Sequence, residues 1–181
     1  LERNGGILEW YFSHSNIMKR FIGVLVALSI VALPFVASAA PTVGAGQQYS
    51  LASQKSVNGN LYLATGTATI GGHVAGDVLA VGGTLLLSGS VDGDVALLGG
   101  TAEVLGPVDG DVRVVGGTVT INSRVDGDLA VVGGTVHVLS DAVITGDMIV
   151  AGGQVVVDGV VNGGLRYRGG SLTLNGTLRG N

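Results

Sequence analysis

From Val57 to Thr177 the chain repeats one alternation of apolar and polar positions seven times. Three copies show it: VDGDVALLGGTAEVLGP from Val91, VDGDVRVVGGTVTINSR from Val108, and VDGDLAVVGGTVHVLS from Val125. Counted from the opening residue, position 1 is Val, Ile or Leu, and positions 5, 7, 12 and 14 are apolar throughout. Alternation at 5 and 7, and again at 12 and 14, is the period of a β-strand with one face buried. Three short strands per copy follow, with five side chains pointing inward. Position 8 is often apolar and is placed at a bend. The charged residues keep to the outward slots, with Arg113 and Arg166 at position 6 and Glu103 and His137 at position 13.

Glycine sets the length of the repeat. One column reads Gly59, Gly76, Gly93, Gly110, Gly127, Gly146, Gly163 and Gly180 at position 3, and a second reads Gly66, Gly83, Gly100, Gly117, Gly134, Gly153 and Gly170 at position 10. Each step is 17 residues except one of 19, which carries an insertion around Ser140 to Val143. Glycine fixed at two places marks corners that need positive φ or a close backbone approach. A period this strict defines a solenoid. The fold class expected is therefore all-β, a three-sided parallel β-helix of about seven 17-residue coils. Five small inward side chains cannot offset the entropy of ordering a whole coil, so the coils must stack. The insertion is expected to bulge from one corner without breaking that stack.

Composition agrees. Among 181 residues there are 33 Gly, and only 4% are aromatic, which suits narrow layers of small side chains better than an ordinary globular core. The chain has no Cys, so disulfide and thiolate chemistry are excluded.

The N-terminal segment differs in kind. Met18, Lys19 and Arg20 precede FIGVLVALSIVALPFVASAA, which has the basic start, apolar run and small-residue exit of a secretory signal. Ala37 and Ala39 form an A-x-A site with cleavage expected before Ala40, an uncleaved anchor being the alternative. Lys19 and Arg20 stay inside in either case, which places the repeat outside the cytoplasmic membrane. Residues 1–17 read as an upstream extension foreign to the native protein, 18–39 as signal peptide, 40–56 as a flexible tether, and 57–181 as the β-helix, truncated in an eighth copy after Leu178 to Asn181. After cleavage six basic residues face eleven acidic ones, a formal charge of −5, which excludes a nucleic-acid ligand.

The corners Gly93-Asp94-Val95 and Gly110-Asp111-Val112, repeated at this coil length, resemble the bactofilin family of polymer-forming bacterial cytoskeletal proteins. The resemblance covers roughly Val57 to Gly180 and implies a right-handed three-sided β-helix that joins end to end into non-polar filaments without nucleotide. Two departures stand out: bactofilins are typically cytoplasmic, and all three Phe here precede the cleavage site, whereas the family's polymerising ends carry large apolar residues including Phe. Exported glycine-rich adhesin repeats resemble the same pattern. The function expected is a non-catalytic structural protein that self-associates through its end coils at the cell envelope, with an adhesin-like display stalk or binding module as the alternative. A membrane contact is expected only through the leader or a missing C-terminal segment.

Candidate chemistry lies on one edge. Asp77, Asp94, Asp111, Asp128 and Asp147 occupy position 4, and Asp92, Asp109 and Asp126 occupy position 2. Stacking makes two carboxylate ladders whose neighbours, at ~4.8 Å, repel by ~1 kcal/mol per pair at water-like permittivity. Two readings offset the repulsion: an Asx-type turn at each corner with solvent screening, or Ca²⁺ held between the rungs of the Asp77 to Asp147 column. No convergent catalytic set is found, and no cofactor is expected. His73 and His137 fall at positions 17 and 13 of different coils and read as separate surface residues. Thr67, Thr84, Thr101, Thr118 and Thr135, continued by Gln154 and Ser171, read as a polar ladder. Arg166, Tyr167 and Arg168 break the pattern, with Tyr167 read as a plug in the core and a sugar- or partner-binding edge as the alternative.

Overall fold

The structure, a computed structural model, describes residues 41–180. The described residues contain no helix and form a parallel β-solenoid of eight turns. Each turn contributes one long strand: β1 (Thr42–Leu51), β3 (Leu61–Ile70), β5 (Val78–Leu87), β6 (Val95–Val104), β7 (Val112–Ile121), β9 (Leu129–Val138), β11 (Met148–Val157) and β13 (Leu165–Leu174). They form one eight-stranded sheet in that order. Short strands close some turns: β2 (Ser56–Val57), β4 (His73–Val74), β8 (Arg124–Val125), β10 (Val143–Ile144), β12 (Val160–Val161) and β14 (Thr177–Leu178). Between β4 and β8, single bridges Val74 to Val91, Val91 to Val108 and Val108 to Val125 carry the column on.

The core is the five inward columns. In the coil from Val108, for example, Val108, Val112, Val114, Val119 and Ile121 are all buried, and the equivalent residues are buried in every coil from Val57 to Val157. Positions 7 and 12 are an odd step of five apart, so the ten-residue strand must turn a corner between them to keep both inside. The structure joins what the sequence divides into two strands. The corner falls at positions 9 and 10, where the ladder pairs Gly82 with Gly99, skips Gly83 and Gly100, and resumes at Thr84 with Thr101.

Positions 7 and 12 compensate each other within a coil. The pairs run Leu63 with Ala68, Ala80 with Leu85, Leu97 with Ala102, then Val with Val in three coils. One large and one small side chain, or two of medium size, fill a layer of constant width.

Two features depart from the sequence expectation. The segment 40–56, read as a tether, holds β1, which pairs with β3 in parallel from Thr42–Leu61 to Leu51–Ile70. It is a further coil, with a step of 19 residues instead of 17. Its extra residues form the tight turn Ala52 to Lys55, closed by the Lys55 amide on the Ala52 carbonyl at 2.9 Å. The other 19-residue coil places its insertion at the same corner, where the Ala142 amide meets the Leu139 carbonyl at 3.0 Å and the register resumes at Met148 opposite Leu129. In the first coil Gly44 and Tyr49 stand at positions 7 and 12, so the compensation holds there too: a Cβ on Gly44 would lie 2.8 Å from the Tyr49 ring.

The glycine columns act through close approach. Among the described residues only Gly46 and Gly169 have positive φ, at 146° and 155°, and both are position 9 of the two edge strands. At position 10 a Cβ on Gly83, Gly100, Gly117, Gly134 or Gly153 would lie 2.9 Å from the carbonyl oxygen of the preceding glycine in the column. Position 3 is tighter: a Cβ on Gly110 would overlap the Asp94 carboxylate and come within 2.7 Å of the Gly93 carbonyl oxygen.

Gly110→Ala is therefore expected to destabilise the solenoid by ~1–3 kcal/mol, and by more than Gly117→Ala, whose nearest neighbour is a single oxygen. Denaturant midpoints of the two variants check the order. Val112→Asp, which buries an unpaired carboxylate at a fully buried position, is expected to abolish the folded circular-dichroism spectrum.

Candidate functional site

The position-4 aspartates form a ladder between coils. The Asp94 amide donates to Oδ1 of Asp77 at 2.9 Å, the Asp111 amide to Asp94 at 2.9 Å, the Asp128 amide to Asp111 at 2.8 Å, and the Asp147 amide to Asp128 at 2.7 Å. Asn60 starts the column by accepting from the Asp77 amide, and Gly164 ends it by donating to Asp147. Each side chain thus reaches along the stack to the next coil's corner, in place of the turn within its own corner expected from sequence. The correction has a simple cause. Glycine at position 3 lets the coils approach so closely that the nearest free amide to each carboxylate belongs to the neighbouring coil.

Arginine takes up the second oxygen at three rungs. Arg113, with its side chain 18% exposed, donates to Oδ2 of Asp111 at 2.7 Å and to Oδ2 of Asp94 at 3.3 Å, clamping two rungs. Arg166 lies 3.6 Å from Asp147. Charge repulsion along the ladder is offset by an amide donor on each Oδ1 and, at Asp94, Asp111 and Asp147, by a guanidinium beside Oδ2. Each Oδ1 of the column accepts an amide of the neighbouring coil. Among the described residues no group of three His, Asp or Glu side chains is gathered to hold a metal.

On the position-2 column, Arg124 grips both oxygens of Asp126 at 2.6 and 2.7 Å, and the Thr145 hydroxyl donates to the same carboxylate. Those hydrogen bonds from Arg124, aided by its charge, hold the Asp126 carboxyl below the ordinary carboxylate range, and Asp126 in turn raises Arg124. His73 bridges two coils, with Nδ1 2.9 Å from Ser90 Oγ and Nε2 3.5 Å from Asp92 Oδ2. Sequence reasoning missed Ser90, although it stands at position 17 directly above His73. The side chains of His73 and Asp92 are 43% and 49% exposed, which makes this an open surface tie. His137 lies elsewhere, in register with Thr120 and Val156. The Thr column stacks in register from Gln48 through Thr67, Thr84, Thr101, Thr118, Thr135 and Gln154 to Ser171.

The last complete coil is different. Tyr167 is half-buried and packs against the core, with its hydroxyl enclosed and lacking a hydrogen-bond partner. Beside it a cleft of about 500 Å³ is lined by Ile149, Val150, Ala151, Arg166, Tyr167 and Arg168. Tyr167 and Leu172 at positions 7 and 12 are a bulkier pair than the Leu with Ala or Val with Val of the interior coils. The ring stays packed on the core, with its hydroxyl beside Gly169. Ala37 and Ala39, the cleavage residues, lie outside the described residues.

No protein-family model matches the chain, and comparisons with curated proteins and with solved structures return no match.

Two outcomes follow for the edge. Asp111→Ala removes the acceptor of the Asp128 amide together with a ligand of Arg113, and is expected to lower stability by ~1–2 kcal/mol in denaturant melts. Asp111→Asn keeps the Oδ1 acceptor and is expected to cost less than half of that. Because the folded-state pKa of Asp126 is depressed, its contribution is present above the unfolded carboxylate pKa and is lost as pH falls through the folded value. An NMR titration should place the Asp126 midpoint below the ordinary carboxylate range, and Arg124→Gln should bring it back up.

Proposed function

We propose that this chain is a non-catalytic structural protein that self-associates through its end coils, resembling an exported bactofilin, and that it acts at the cell envelope. The observation that carries the reading is the sheet itself. Every long strand from β1 to β13 is parallel and in register with its neighbours, and among the described residues the two outermost strands have a partner on one side only. Unpaired edges of ten residues are templates for another chain. The side faces are occupied with holding the coils together: the aspartates bond amides, the threonines stack on threonines, and the arginines mostly pair with acids. The signal-like leader motivates the extracytoplasmic location.

A display stalk is the second reading, and the cleft beside Arg166 and Arg168 favours it. The two readings separate on association. Sedimentation velocity of the purified chain over 1–200 μM, with electron microscopy of the top concentration, is expected to show oligomers that grow with concentration. A monomer throughout that range would overturn the assembly reading and leave the stalk.

A further inference from the structure

We infer that the outward face of positions 6 and 8 is a packing surface for a second copy of this chain, laid side by side with the first. The contact is lateral and separate from any joining of coil ends. A coil added beyond either edge strand would lengthen this face without covering it, so the place where the solenoid begins or ends does not enter.

The strand sequences carry the first observation. Positions 5 to 8 read LYLA in β3, VLAV in β5, VALL in β6, VRVV in β7, LAVV in β9 and MIVA in β11. Positions 5 and 7 face the core, so positions 6 and 8 repeat the apolar character on the outside. Near-continuous apolar runs are the mark of parallel strands covered on both faces. The outward positions 11 and 13 of the same strands hold mostly Thr, Gln, Ser, Glu and His. Val81 and Ile149 remain 43% and 46% exposed although each lies in a strand paired on both sides. A contiguous apolar face of this kind marks an interaction site.

Volume across the face supplies the second observation. Tyr62 stands beside Ala64, Ala96 beside Leu98, Ala130 beside Val132 and Ile149 beside Ala151, one larger and one smaller side chain in each coil. Leu79 with Val81 is the bulkier exception, and Arg113 beside Val115 is drawn off to the corner by Asp94 and Asp111. Positions 7 and 12 compensate in the same way because they fill a closed layer. Side chains that face water have no width to keep, so compensation at positions 6 and 8 points to a second closed layer. The face is complementary to itself. A twofold axis along the solenoid, between the two columns, lays position 6 of one copy over position 8 of the other in every coil, Tyr62 over Ala64 and Leu98 over Ala96.

Charge selects the partner and its direction. Positions 6 and 8 carry no acid in any described coil, and the position-4 aspartates run along one border of the face. That border repels an anionic lipid headgroup. A second copy turned end for end would lay one Asp column over the other. With both copies running the same way, each Asp column lies over the partner's position-10 glycines instead. At β13 Arg166 and Arg168 fill both columns and mark the limit of the apolar strip. The coils of β1 to β11, at ~4.8 Å each and ~10 Å across, bury on the order of 1,000 Å² between two copies once side-chain relief is included, the lower limit for a specific interface. The pair is accordingly reversible.

In sedimentation of the 181-residue chain, Leu98→Lys/Val132→Lys is expected to weaken pairing at least about tenfold with the folded circular-dichroism spectrum unchanged. Thr84→Lys/Thr118→Lys, in the threonine column, is expected to leave pairing unaltered. The chain has no cysteine, so single introduced thiols report direction. Packed sheets stand ~10 Å apart, within reach of a short bismaleimide. Ala64→Cys and Ala151→Cys, in β3 and β11, are each expected to give a covalent dimer alone. Cross-links that are absent, or that form only when the two variants are mixed, would overturn the parallel pair. Association unchanged by the two lysines at Leu98 and Val132 would overturn the face itself and leave joining through end coils standing. A parent chain that stays monomeric, whether it ignores phosphatidylglycerol vesicles or binds them and so assigns the face to lipid, would overturn the inference.

Discussion

The whole solenoid depends on one spacing: each turn lies a single backbone hydrogen bond from the next along the strands, and the glycine corners approach just as closely. Corners are where a chain normally gains room by splaying, and here it does not. At position 3 there is no volume for a Cβ between one turn's glycine and the preceding turn's carbonyl and aspartate. Glycine is required because of its size. Left-handed φ, the usual reason for invariant glycine in a turn, is confined among the described residues to Gly46 and Gly169.

That spacing also explains the acidic edge. Stacked carboxylates would repel in a looser structure, but close corners bring each one within reach of the next turn's amide, and the ladder becomes a source of cohesion. Arg113 then spans two rungs because its slot at position 6 lies beside position 4 of the same turn and of the turn below. A residue that looks like a surface charge in the sequence acts as a clamp along the stack.

The inward columns were legible because burial of five side chains per turn repeats with the chain, and each of the residues so assigned from Val57 to Val157 is buried. What hid the first coil was local. Thr42 and Gly44 stand where later coils have Leu61 and Leu63, Gln47 replaces the position-10 glycine, and the Ala52 to Lys55 turn lengthens the step to 19. Tyr49 supplies the volume that Gly44 lacks, a compensation across the layer that no single column displays. The aspartates were assigned to the right edge, yet their partners were misjudged, because a bond to a residue 17 positions away is invisible to reasoning about one corner. The same limit hid Ser90 from His73.

Interior coils have a neighbour on both sides, so their sequences converge on one pattern. The coils of β1 and β13 depart from it in different ways. At β13 the departures are arginine at two outward positions and a tyrosine in a column that the interior coils fill with Leu, Ala and Val. At β1 they are Thr, Gly and Gln, and Tyr49 supplies the width that Gly44 gives up. A layer can therefore exchange its residues as long as their summed volume holds, a constraint that the regular columns of the interior coils conceal.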